Sequence, residues 1–230
     1  MRYFQRQTLE TTIQNQLLAK TTTNFGSLTE NQRNEIVSKL LLSQKQLCAY
    51  CECMISLSVH HIEHFEEQHD ATTKVFDYEN LVLSCEGERN PATKPEPHTT
   101  KIYRKDNISC GHRKTKVQHG KIEIDYTLLL NPTKNVSALF SYLDGIIEPS
   151  NTCSIDEEKQ VRYTINRLNL DAHRIENNRI NEIMLIQDEL DNLTEMQQKT
   201  YIQSLLDETQ DNLNPYFSTI KDNFGFMLRV

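Results

Sequence analysis

Cys48-Ala49-Tyr50-Cys51, His61-Ile62-Glu63-His64-Phe65, Tyr78-Glu79-Asn80-Leu81, Cys85 and Cys110-Gly111-His112 follow one another along the chain in that order. Four cysteines spaced C-x-x-C, then C, then C offer the tetrahedral sulfur set of a closed structural zinc site. Cys53, two residues after Cys51, competes for the same position and ranks below it, because C-x-x-C is the better chelating turn. His60 and His61 read as structural, with either able to replace a cysteine at the zinc. Between Cys51 and Cys85, Glu63 and His64 put a carboxylate beside an imidazole in a short apolar stretch of strand character. Adjacent side chains on an extended backbone face opposite ways, so one site shared by the two needs a bent strand end. Two short strands and a helix, with a divalent ion held at their junction, supply that bend.

The local words are C-A-Y-C-E at 48–52, H-I-E-H-F at 61–65, Y-E-N-L-V-L-S-C at 78–85 and C-G-H-R-K at 110–114. In these words and their order the chain resembles the zinc-containing HNH endonucleases. More narrowly it is similar to the PtuB-like group, the HNH subunits of Septu-type anti-phage defence systems, including retron-associated forms. The flanks support the resemblance less. It implies an α+β, mostly helical fold: a zinc-stabilised ββα-metal (HNH) core between N-terminal helices and a C-terminal helical region. The zinc ligands would be Cys48, Cys51, Cys85 and Cys110.

Hydrolysis of a phosphodiester needs an activated water, a cation to take up charge, and tight positioning. His64 is the expected general base, since a neutral imidazole titrates near the working pH. Glu63 and His112 would hold one Mg²⁺, or Mn²⁺, Ni²⁺ or Co²⁺ because one ligand is a histidine. The wider family carries Asp before the base, the PtuB-like group Glu, as here. Asn80 matches the middle Asn of the HNH triplet, which holds the base-carrying loop through hydrogen bonds to backbone. Asn90 is the alternative third member, with His112 preferred. Arg113, Lys114 and Lys116 would lie beside the phosphate. The implied partners are a PtuA-like ABC-type ATPase, a nucleic acid substrate, and in some systems a retron reverse transcriptase with its RNA-linked DNA. DNA is favoured, with RNA such as transfer RNA as the alternative substrate. The alternative outside the enzymes is a zinc-folded adaptor that bridges nucleic acid and a partner protein.

The net charge of −7 is unusual for a handler of nucleic acid, but its distribution decides more than its sum. From Arg89 to Lys121 nine Lys/Arg face Glu96 and Asp106, a local +7 that leaves −14 for the remainder. A basic patch on an acidic body suits local phosphate contact with further grip from a partner. The metal-like cysteine spacing points to zinc in a reducing compartment. No stretch approaches the roughly twenty apolar residues of a membrane span, and the start lacks the apolar run of a signal peptide. The expected location is cytoplasmic, with no membrane contact.

A length of 230 residues suits one catalytic domain with helical additions. Residues 1–46 read as an N-terminal helical segment: an amphipathic helix within 5–23, then one begun by Ser27 and Glu30 as a capping box and facing inward through Ile36, Leu40 and Leu41. Residues 47–125 form the expected core, with strands through Ile62–Phe65 and Leu81–Ser84 and a basic, Pro-containing surface insert at 86–109. Ile122–Tyr126 is a strand or an extended connector. Residues 126–230 read as an acidic helical region and a docking surface for the partner. Its helices would be capped by Ser154 with Glu157, by Asp171, by Thr194 with Gln197, and begun by Pro215.

Overall fold

The computed structural model describes residues 1–87, 108–114 and 123–228. Over these the chain is α+β, about 48% helical, with two small antiparallel sheets. The first helix, α1 (Thr11–Leu18), is shorter than expected; it buries Ile13 and Leu17 and leaves Leu18 exposed. The second, α2 (Glu30–Gln44), starts two residues later than the Ser27 box implies. Ser27 belongs to a 3₁₀ turn whose Gly26 amide donates to Asn24, and Thr29 and Gln32 make the reciprocal cap instead. Ile36, Leu40 and Leu41 are buried as the helical spacing requires.

Consecutive left-handed residues, Lys45 and Gln46, end α2 and turn the chain into the cysteine knuckle. Gln44 fastens this corner. Its amide nitrogen donates to the carbonyls of Leu47 and Leu83, both at 2.8 Å, and its oxygen accepts the Leu83 amide at 2.7 Å. Strand β1 (His61–His64) then pairs antiparallel with β2 (Leu81–Ser84), His61 opposite Ser84 and His64 opposite Leu81. Every residue of β2 is buried, which fits its run of apolar side chains. The one-turn helix α3 (Gly111–Lys114) follows.

Residues 123–125 belong to no strand or helix, and Ile122 lies outside the described residues. A second small sheet pairs β3 (Phe140–Ser141) with β4 (Glu148–Pro149). Four helices complete the chain: α4 (Ile155–Leu168), α5 (His173–Leu190), α6 (Glu195–Leu205) and α7 (Phe217–Phe224). Ser154 and Glu157 cap α4 reciprocally, and the Thr194 amide and hydroxyl both donate to Gln197 at the start of α6. Two expected starts are corrected. Ala172, not Asp171, precedes α5, and its carbonyl accepts the Ile175 and Glu176 amides. Pro215 stands outside α7, because Tyr216 takes a left-handed turn held by its amide donating to the Glu52 carbonyl.

One buried cluster runs from Met1 and Phe4 through Ile36, Tyr50, Leu83 and Cys110 to Leu168 and Ile175. It crosses the boundaries expected near residues 46 and 125, so α4 and the start of α5 share a core with the cysteine region. A smaller cluster joins α5, α6 and α7 through Ile183, Ile186, Leu190, Ile202, Ile220 and Phe224. No helix of the described residues is long and apolar enough to cross a membrane. Because Gln44 satisfies three buried backbone groups, Gln44→Leu is expected to cost about 2–3 kcal/mol, seen as a lower denaturant midpoint with an unchanged slope.

Candidate metal centre

Three separate stretches bring the cysteines together. In the knuckle, the Cys48 amide donates to Cys53 O at 2.9 Å and the Glu52 amide to Cys48 O at 3.1 Å, with Glu52 left-handed. The Ala49 amide donates to Leu83 O at 3.0 Å and ties the knuckle to β2, which runs directly into Cys85. Gly87 and Ser109 then meet. Gly87 has φ +50°, and a Cβ there would stand 2.4 Å from the Ser109 carbonyl oxygen, so only glycine permits the approach. Cys110 follows, its amide donating to Leu168 O at 2.8 Å.

The result is four buried thiols, Cys48, Cys51, Cys85 and Cys110, whose sulfurs all lie within 4.8 Å of one another. Cys51 Sγ and Cys85 Sγ are 3.8 Å apart, and the Cys85 amide donates to Cys48 Sγ at 3.3 Å. Sulfurs bound tetrahedrally at about 2.3 Å from zinc stand about 3.8 Å apart, so the set fits that ion. Cys53 stays outside this group and is only partly buried. His60 bonds the Ser56 carbonyl at 2.9 Å instead of a metal ligand.

Beside the thiols, β1, β2 and α3 close on Glu63 and His64. Both are buried. The His64 Nε2 lies 2.9 Å from Val75 O, and since a carbonyl only accepts, this nitrogen carries the proton and Nδ1 is the acceptor. Gln68 Nε2 stands 3.4 Å from that Nδ1, and Phe25 packs edge-on against the ring at 4.6 Å. Burial lowers the imidazole pKa below its ordinary value, which keeps the ring neutral at neutral pH. Asn80 holds the same corner. Its Oδ1 accepts the Glu66 amide at 2.8 Å, and its Nδ2 donates to Glu66 O at 2.9 Å and Lys74 O at 3.3 Å.

Glu63 lies against the start of α3, where a Cβ on Gly111 would stand 2.6 Å from Glu63 Oε2. One of its oxygens pairs with the Lys114 ammonium and the other meets His61 Nε2 at 3.1 Å. Burial pushes the Glu63 carboxyl up, but Lys114 and His61 outweigh it and hold it below its ordinary value. Lys114 is fully buried, and its ammonium also donates to the carbonyls of His64 and Phe65. This corrects the expectation that it contacts phosphate. A side chain that meets Glu63 and two strand carbonyls has its donors turned inward.

Glu63 and His112 are the pair expected to share an ion. His61 stands between them, its ring 4.4 Å from that of His112, whose Nε2 is 3.4 Å from Glu86 Oε2. Arg113 is partly buried on the short helix. Lys116, Asn90 and most of the basic insert lie outside the described residues. Neither family models nor curated proteins match the chain. The function therefore has to be argued from this geometry.

The sequence reading missed Gln68 and Glu86 at the junction, and it gave His61 a structural role or a place at the zinc instead of one beside Glu63. His61 had a signal: two residues before Glu63 on a strand, it leaves the same face. Gln68 and Glu86 had none, since loops deliver them. A further convergence, Glu67, His69 and Asp70, lies at the surface, where Tyr126 bridges it by accepting the Glu67 amide and donating to Asp70.

A metal ion held by the four thiols would contribute folding energy outright, so added Zn²⁺ is expected to raise the melting temperature and a chelator to reverse the gain, and Cys110→Ala should abolish the binding by elemental analysis. Lys114→Met leaves the buried Glu63 carboxylate with His61 alone for a partner, and a loss of about 3 kcal/mol on thermal or urea unfolding is expected.

Proposed function

We propose that the chain is a metal-dependent HNH endonuclease of the PtuB-like kind, hydrolysing phosphodiester bonds of nucleic acid, with DNA favoured. The observation that carries this reading is the setting of His64. Its Nε2 is committed to the Val75 carbonyl, its Nδ1 is left as acceptor, and its loop is tied down by Asn80. A general base needs both a fixed tautomer and a fixed loop, and His64 has the first from Val75 and the second from Asn80.

In this reading His64 Nδ1 takes the proton of a water whose oxygen attacks phosphorus, and the bond from phosphorus to the leaving oxygen breaks. A divalent ion held by Glu63 and His112 would take up charge on the phosphoryl and leaving oxygens. Lys114 keeps Glu63 ionised and, by donating to the His64 and Phe65 carbonyls, ties the end of β1 to α3. A turn of the backbone there would let neighbouring residues, Glu63 and His64, serve one site. The four thiolates would hold zinc as scaffold only, having no open position for substrate. Arg113 remains the described candidate for phosphate contact.

The partner in this reading is a PtuA-like ABC-type ATPase, with a retron reverse transcriptase and its RNA-linked DNA in some systems. A docking role for this region is supported by Met184 and Leu185 on α5 and Met196 on α6, large apolar side chains left exposed. Because Val161, Leu168 and Ile175 belong to the main core, surface substitutions test docking better than deleting the region. Loss of ATPase binding in Met184→Glu with Leu185→Glu, at unchanged melting temperature, is the expected result.

Cleavage of plasmid DNA and bulk transfer RNA by the chain with its genomic neighbours, in Mg²⁺ or Mn²⁺, tests the activity. Wild type is expected to cut DNA and His64→Ala to lose at least a hundredfold in rate, in line with removal of a general base. Cleavage of transfer RNA alone moves the substrate to RNA. No cleavage by wild type, with zinc bound and the partner bridged to nucleic acid, replaces the enzyme by the adaptor.

A further inference from the structure

Glu63, His61, His112 and Glu86 stand in a row of successive contacts across the junction. We infer that His61 is a third protein ligand of the divalent ion assigned above to Glu63 and His112, giving a two-imidazole, one-carboxylate site that prefers late first-row ions such as Ni²⁺ or Co²⁺ to Mg²⁺. The inference rests on the proposed metal-dependent reading and adds to it a residue and a metal preference.

Three observations carry it. His61 and Glu63, two apart on β1, leave the strand on one face, and His61 Nε2 meets Glu63 Oε2 at 3.1 Å. The His61 and His112 rings stand 4.4 Å apart at 33°. Two imidazoles bound side by side to one ion at about 2.1 Å have centroids about 4.5 Å apart, so the two rings have the spacing of neighbouring ligands, although their nitrogens face different carboxylates here. The remaining Glu63 oxygen belongs to the Lys114 ammonium, so the carboxylate can give an ion one oxygen only. With Glu63 and His112 alone, the protein would offer two ligand atoms. His61 supplies the third.

These three do not converge within 4.8 Å as the thiols do. Gathering an ion requires side-chain rotation that brings a His112 nitrogen toward Glu63 and His61, and Glu86, partly exposed, stands 3.4 Å from His112 Nε2. His61 has 35% of its side chain exposed against 5% for Glu63, so an ion arrives past His61 and reaches the buried carboxylate last. The donor set decides the preference. Imidazole suits Ni²⁺, Co²⁺ and Zn²⁺, whereas Mg²⁺ sheds water reluctantly and takes oxygen ligands.

The test is calorimetric titration of the full zinc-loaded chain with Ni²⁺ and separately with Mg²⁺, comparing wild type, His61→Ala, His112→Ala, Glu63→Gln and, as a neighbour off the site, His60→Ala. Zinc content and melting temperature are measured for each. The expected result is one Ni²⁺ per chain beyond the zinc, bound at least tenfold more weakly in His61→Ala and unchanged in His60→Ala, with Mg²⁺ far weaker throughout. Co²⁺ at the same site should show ligand-field bands without thiolate charge transfer, and these should fade in His61→Ala. Equal Ni²⁺ affinity in His61→Ala and wild type overturns the assignment of His61, and weakened binding in His112→Ala or Glu63→Gln then leaves the two-residue site standing. No second ion in wild type overturns both. Ni²⁺ binding that depends on His61, in a chain that cuts nothing, upholds this inference and rejects the nuclease.

Discussion

Four sulfurs that meet within 4.8 Å set the course of the chain around them. The knuckle, the end of β2 and the start of α3 must all reach one point, and between them they fix both ends of the strand–strand–helix junction. A structural zinc ion in such a set supplies an apparent binding energy of about 10–16 kcal/mol, as much as the whole stability of an ordinary domain. On that scale no single hydrogen bond at the junction competes. Ala49 to Leu83, Gln44 to both sides of Leu83, and Cys110 to Leu168 tune a position the thiols have chosen.

The second organising charge is the ammonium of Lys114. A buried cation is tolerable only where oxygens surround it, and here a carboxylate and two carbonyls do so. The consequence is mechanical as well as electrostatic. Lys114 lies one turn beyond Cys110, so the helix anchored at the thiols also clasps the strand that carries Glu63 and His64. Gly111 allows the carboxylate to come this near by having no side chain to displace it.

Much of this was legible in the sequence where a residue acts through local rules. The two strands, the inward face of α2 and the cap at Ser154 follow from short apolar runs, helical spacing and a reciprocal hydrogen-bond pattern. The four-cysteine cluster was readable because chelation restricts spacing, which separated Cys51 from Cys53. What failed depended on contacts far along the chain. Thr29 displaced Ser27 as a cap because Asn24 had already claimed that turn, and Tyr216 displaced Pro215 because Glu52 holds it. Lys114 misled most. A lysine in a basic run reads as exposed, and only the position of Glu63 across the junction turns it inward. The same distance hid His61, whose place between Glu63 and His112 depends on α3 meeting β1.

The close pass of Gly87 and Ser109 works as a spacer of atomic size. Gly87 stands two residues after Cys85 and Ser109 one before Cys110, so the backbones that carry these two cysteines are held against each other at a point where a single Cβ would collide with the Ser109 carbonyl. Any larger residue at position 87 has to push one backbone off the other, and two of the four sulfurs with it. The gauge of the centre is thus set partly by a residue that offers it no ligand.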